Sequence, residues 1–87
     1  MQADKGKTLR LLKTARGQMD GIIRMVEEDR YCIDISQQLM ATEAILNRTN
    51  KEILAAHLKH CVQEAETPEE RSQKVDEFIG TLGKILK

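Results

Sequence analysis

Eighty-seven residues are enough for one small domain, and 14 basic against 14 acidic side chains leave no net charge. One proline and two aromatic residues (Tyr31 and Phe78) mark a helix-forming composition, and so short a helical chain buries only a modest core unless copies associate. No apolar run approaches the ~20 residues that cross a bilayer, and the start MQADKGK lacks a signal peptide's apolar centre, so neither a membrane nor a secreted class is expected and a cytoplasmic location is.

The first predicted helix runs from about Lys5 to Glu28, with Asp4 as its N-cap. Leu9, Leu12, Met19, Ile22, Ile23 and Val26 form its apolar stripe. Gly17 and Gly21 interrupt good helix formers at about 1 kcal/mol each relative to Ala. Either close helix packing or close approach of a ligand such as DNA phosphate accounts for them. A turn follows at Glu27-Glu28-Asp29-Arg30, where Asp29 is expected to cap the second helix and place Tyr31 and Cys32 in its first turn. A helix N-terminus favours negative charge there.

The second helix organises the chain. From Cys32 to Cys61 it has neither Gly nor Pro, and it should end near Glu64. Ile35, Leu39, Thr42, Leu46, Thr49, Ile53 and Ala56 alternate in spacings of three and four, the seam of a long amphipathic helix. Thr67-Pro68-Glu69-Glu70 then reads as a capping box with proline at the first helical position. The third helix follows, with Val75, Phe78, Ile79, Leu82, Ile85 and Leu86 on one face. The expectation is a single all-α domain over residues 1–87, without repeats or a separating linker.

The two cysteines, Cys32 and Cys61, lie at opposite ends of the second helix, roughly 44 Å apart at 1.5 Å per residue. They cannot meet within one chain. If the helix pairs antiparallel with a second copy about a midpoint near Ile45 and Leu46, Cys32 of one chain meets His57 and Cys61 of the other. His57 and Cys61 are four apart and share a helix face. In a reducing compartment two such thiols read as metal ligands or reactive groups rather than a bridge. Two thiolates and an imidazole suit Cu(I), whereas Zn(II) usually takes a fourth ligand. His60, about 60° around the helix from His57, reads as a packing or polar residue.

Charge is unevenly spread. Residues 1–16 carry Lys5, Lys7, Arg10, Lys13 and Arg16 against Asp4, whereas residues 62–77 are predominantly acidic. Arg10, Lys13 and Arg16, followed by Gly17 and Gln18, can track phosphates when several copies combine their faces. The near-absence of aromatics argues against single-strand stacking, and no helix-turn-helix spacing is evident. No feature supplies the oxyanion site that a Cys–His enzyme requires, so an enzyme is not expected.

The segments RLLKTARGQMDGIIRMVEEDRYCIDI and NKEILAAHLKHCV, with their Cys–x24–His–x3–Cys spacing, resemble the copper-sensing CsoR group of the CsoR/RcnR transcriptional repressors over nearly the whole chain. The resemblance implies a three-helix protomer, an antiparallel four-helix-bundle dimer and a tetramer built as a dimer of dimers. It also implies apo binding to double-stranded operator DNA and release by Cu(I) at an intersubunit Cys32, His57 and Cys61 site. Tyr31 and Glu77 fall at positions that surround the ligands and couple metal to fold. Lys13, Arg16 and Arg48 match DNA-contact positions, with Gln18 beside them; the family often has arginine where this chain has Leu11, so either Arg10 takes over part of that role or contact is weaker there. Nickel and cobalt sensors carry His at the position of Cys61, formaldehyde sensors lack this second Cys, and persulfide sensors usually lack His57. Copper is therefore favoured. The alternatives are a persulfide-responsive repressor of the same family, and a copper chaperone or storage bundle that binds no DNA.

Overall fold

The computed structural model describes residues 1–85 as three helices, α1 (Lys5–Glu27), α2 (Cys32–Glu64) and α3 (Pro68–Ile85), with no strand among them. No helix among the described residues is long and apolar enough to cross a membrane. The chain divides into two compact units, Asp4–Asn50 and Lys51–Lys87 together with Met1–Ala3, and α2 runs through both.

Asp4 starts α1 as expected. Its carboxylate accepts from the Lys7 N–H at 3.2 Å, and its carbonyl oxygen accepts from the Thr8 N–H and hydroxyl at 3.0 and 2.8 Å. The other end departs from expectation. Asp29 does not cap α2; it terminates α1 in the left-handed conformation, at φ 53°. The Asp29 N–H donates to the Val26 carbonyl at 3.1 Å and the Arg30 N–H to the Met25 carbonyl at 2.9 Å. That bond pair is the Schellman closure, which satisfies the last carbonyls of a helix. Aspartate's short polar side chain tolerates this backbone better than most, so it replaces the usual glycine. Tyr31 consequently stands just outside α2, not in its first turn, and its carbonyl accepts from the Ile35 N–H at 3.2 Å.

In the unit Asp4–Asn50, α1 packs through Thr8, Leu11, Ala15, Gln18, Ile22 and Met25, spaced alternately three and four apart. From α2 come Ile35, Thr42, Ile45 and Thr49. Among the described residues only Ala15 and Ile22 are buried apolar side chains; Thr8, Thr42 and Thr49 are buried as well. The Thr42 hydroxyl donates to Gln18 Oε1 at 2.8 Å, and that of Thr49 to the Ile45 carbonyl at 2.8 Å. The seam expected along α2 therefore splits in two. Ile35, Thr42 and Thr49 turn toward α1, whereas Leu39 and Leu46 remain 50% and 44% exposed. Leu9, Leu12, Met19, Ile23 and Val26 of α1 are exposed in the same way.

In the second unit, Ile53, Leu54, Ala56, Leu58 and Val62 of α2 are half-buried, as are Val75, Phe78 and Leu82 of α3. Ile79, expected on the same face, is 59% exposed; its position one residue after Phe78 turns it about 100° away. Leu86 lies outside the described residues, as does the side chain of Ile85. The capping box forms with one change. Glu70 N–H donates to Thr67 Oγ1 at 3.1 Å, but the Glu70 carboxylate accepts from the Glu66 N–H at 3.0 Å, one residue further back than the usual return bond.

Both helix termini are testable by chemical denaturation at fixed protein concentration. Thr67→Ala should cost about 1 kcal/mol, the usual loss for an N-cap hydroxyl. Asp29→Gly should be neutral or stabilising, while Asp29→Val should cost about 1–2 kcal/mol because a β-branched residue resists the left-handed region.

Candidate functional site

His57 and Cys61 stand on consecutive turns of α2, and four residues of helix bring their side chains together. Cys61 Sγ lies 3.4 Å from His57 Nε2. Zinc–sulfur and zinc–nitrogen bonds of about 2.3 and 2.0 Å at a tetrahedral angle hold their donors about 3.5 Å apart. The pair is thus spaced to share a soft or borderline metal with little movement. Among the described residues no group of three His, Cys, Asp or Glu side chains within this chain could hold a metal.

A small cleft of about 30 Å³ adjoins the pair, lined by His57, Cys61, Leu54 and Leu58 of α2 and by Lys74, Glu77, Phe78 and Thr81 of α3. Glu77 therefore shares a cleft with both donors, and Lys74 Nζ lies 3.8 Å from its carboxylate. Both groups are well exposed, so this ion pair contributes little to stability. Sequence reasoning found Glu77 but missed Lys74, Phe78 and Thr81 as cleft residues. Lys74 and Thr81 stand three and four residues from Glu77, and Phe78 stands four from Lys74 and three from Thr81; these helical spacings are the signal that could have found them. His60 lines a second, wider cavity of about 370 Å³ that also reaches Cys61 and includes Glu64, Glu70, Gln73 and Lys74.

Cys32 is a free, exposed thiol in the first turn of α2, and Cys61 is a free, half-buried one near its last. Cys32, Leu39 and Leu46 are seven residues apart and so share one exposed face of α2. Tyr31, beside Cys32, is 68% exposed.

The basic residues distribute around α1 in a way their sequence spacing hides. Arg10, Lys13 and Arg16 are all exposed, and among the described residues none has an ion-pair partner. Steps of three residues wind backwards around a 3.6-residue helix, so Arg16 stands about 120° from Arg10. It borders the exposed Leu12 and Met19. Arg48 is exposed on α2. Gln18 is half-buried, its carbonyl taken by Thr42. Helix packing within the chain does not explain the two glycines: a Cβ at Gly17 would meet nothing within 4 Å, and at Gly21 only Arg24 Nη2 at 4.0 Å.

The sequence and the fold match a known class. The family model of metal-sensitive transcriptional repressors matches residues 4–84, and the chain belongs to that family, whose members are repressors and not enzymes. Among individual relatives, the copper-sensing transcriptional repressor CsoR of Mycobacterium ulcerans (strain Agy99) is 44% identical over 78 residues, 90% of this chain and 67% of its own. The protein of the same name from Bacillus subtilis (strain 168) is 34% identical over 84 residues, 97% of this chain and 83% of its own. Of solved structures, the copper-sensing repressor CsoR with Cu(I) from Geobacillus thermodenitrificans NG80-2 superposes with a TM-score of 0.81 at 31% identity, covering 100% of this chain and 94% of that one. The nickel-responsive transcriptional regulator InrS gives 0.79 at 26% identity, covering 98% and 96%.

The Gln18–Thr42 bond can be weighed by a double-mutant cycle. Thr42→Val leaves a part-buried carbonyl unsatisfied and should cost about 1–3 kcal/mol. Combining it with Gln18→Leu should cost less than the two single changes added together, measured by urea unfolding.

Proposed function

We propose that this chain is a copper(I)-responsive transcriptional repressor, bound to double-stranded operator DNA when apo and released when Cu(I) binds. The observation that carries the reading is the His57–Cys61 pair at 3.4 Å, which finds no third donor among the described residues of its own chain. The copper-sensing relatives supply the metal, and Cys61 supplies the soft third ligand that distinguishes copper from nickel in the resemblance.

In this reading residues 1–87 act as one functional domain. The bare face carrying Leu39 and Leu46, with Leu12, Met19 and Ile23 of α1, is covered by a second copy running antiparallel. The result is a four-helix-bundle dimer, and two dimers form the tetramer. Antiparallel pairing about Ile45 and Leu46 carries Cys32 of the partner subunit to His57 and Cys61. Cu(I), a soft ion matched to thiolate ligands, supplies the bonds that hold the three donors together. Tyr31 adjoins Cys32 in sequence and Glu77 adjoins the donor pair, so both report ligand position to the helices that carry them. Arg10, Lys13, Arg16 and Arg48 meet the DNA, and their charges make binding salt-dependent; Gln18, whose amide is bonded to Thr42, holds α1 against α2 behind them.

Release requires that the metal bind the DNA-incompetent arrangement better than the competent one. A coupling of about 3 kcal/mol lowers DNA affinity by around 150-fold. The copper atom need not touch the DNA face; it need only favour one of two packings.

An anaerobic Cu(I) titration of reduced protein against a competing chelator, with a duplex selected by the apo protein from a random-sequence pool, tests this directly. One tightly held Cu(I) per protomer with DNA release at that ratio is expected, and Cys32→Ala should retain DNA binding but lose the copper response. Weak, non-stoichiometric copper with DNA still bound would point instead to persulfide chemistry at the two thiols. Copper binding by a chain that shifts no duplex under any salt condition would make it a storage or carrier bundle. Glu77→Ala should hold copper as tightly while its copper-induced loss of DNA affinity shrinks; an unaltered loss would deny Glu77 the coupling role.

A further inference from the structure

Gly17 lies in the interior of α1, where glycine is the least favourable residue apart from proline. Nothing inside the chain requires it. Its φ is not positive, and a Cβ built there meets no atom within 4 Å. It also lies roughly 150° around the helix from the buried Ala15 and Ile22, on the side facing away from α2. An alanine would fit the isolated chain and strengthen the helix.

The surroundings of Gly17 are cationic. Arg10, Lys13 and Arg24 all lie within about 40° of it around the helix axis, spread over about 21 Å of helix length. Asp20 is the only acidic residue close to this face between them. Among the described residues none of the three cations has an ion-pair partner within 4 Å. A second copy of this chain packing symmetrically on the same face would set these cations against one another. A polyanion would instead be drawn to it.

We infer that the face of α1 centred on Gly17 is where a DNA backbone lies closest to the protein, and that Arg24 is a phosphate contact on its far side. This rests on the DNA-binding reading above and adds two residues to it. The missing side chain lets the sugar–phosphate chain approach the helix itself, so that Arg10 and Lys13 on one side and Arg24 on the other reach phosphates of one strand. Gly21, about 40° around the helix from Gly17 and with Arg24 Nη2 4.0 Å from where its Cβ would be, widens the same opening.

Phosphate contacts carry no sequence information, so a random-sequence duplex of about thirty base pairs is a sufficient probe. Gly17→Ala, Gly17→Gln and Arg24→Gln are compared with the unmodified full chain for melting temperature, sedimentation and duplex affinity across a potassium chloride series. Gly17→Ala and Gly17→Gln should melt higher, because both replace glycine with a better helix former, and should sediment unchanged. Gly17→Gln should nevertheless bind the duplex about tenfold more weakly, the scale of one lost hydrogen bond to a charged group. Arg24→Gln should flatten the dependence of log affinity on log salt by about 0.9 for each phosphate contact removed.

Undiminished binding by Gly17→Gln, or an unchanged salt slope for Arg24→Gln, would overturn the inference while leaving the repressor reading intact. Altered sedimentation of the Gly17 variants would also overturn it and assign the face to contact between copies. Failure of the unmodified chain to bind any duplex at low salt would remove the repressor reading and this inference together.

Discussion

The structure depends on a seam too thin to hold α1 and α2 by apolar burial alone. Ala15 and Ile22 are its only buried apolar side chains among the described residues, and threonines occupy three of the other buried positions. Each threonine hydroxyl is satisfied by a neighbouring carbonyl or by Gln18, and no buried side-chain nitrogen or oxygen among the described residues is stranded. Satisfied polar groups specify register well but add little net stability. The larger apolar residues, Leu12, Met19, Ile23, Leu39 and Leu46, are left on the outside. Together they form an exposed apolar surface of the kind that marks an interaction site.

That division of labour also explains where a one-dimensional reading succeeded. Helix number, the Asp4 cap, the Thr67-Pro68 start and the Glu64 end were all legible, because caps and prolines act on adjacent residues. The heptad along α2 was legible as a seam, but two seams overlap in it. Thr42 and Thr49 sit only a fraction of a turn from Leu39 and Leu46, and sequence periodicity cannot say which neighbour each set faces. Asp29 was misplaced for a related reason. Aspartate stabilises a helix start by its carboxylate and a helix end by tolerating the left-handed backbone, and the hydrogen bonds of Asp29 and Arg30 decide between them.

For the candidate site, the pairing of His57 with Cys61 was legible from a spacing of four, and the structure adds the cleft that joins them to Glu77 and Phe78. That cleft depends on how α3 returns along α2, which no local motif encodes. The basic stripe shows the opposite failing. Arg10, Lys13 and Arg16 look collinear in sequence, yet steps of three spread them over a third of the helix circumference. Arg24 is two turns beyond the run that drew attention, and a lone arginine near a helix C-terminus is ordinarily assigned to the helix dipole.

The 33-residue α2 has neither a break nor a proline, and this constrains how such a chain can change over generations. Replacing a side chain leaves the helical phase untouched, so ligand chemistry can drift one position at a time. Inserting or deleting a single residue turns everything beyond it by about 100° and displaces it by about 1.5 Å. The donor set proposed above, drawn from both ends of this helix, would survive the first kind of change and not the second.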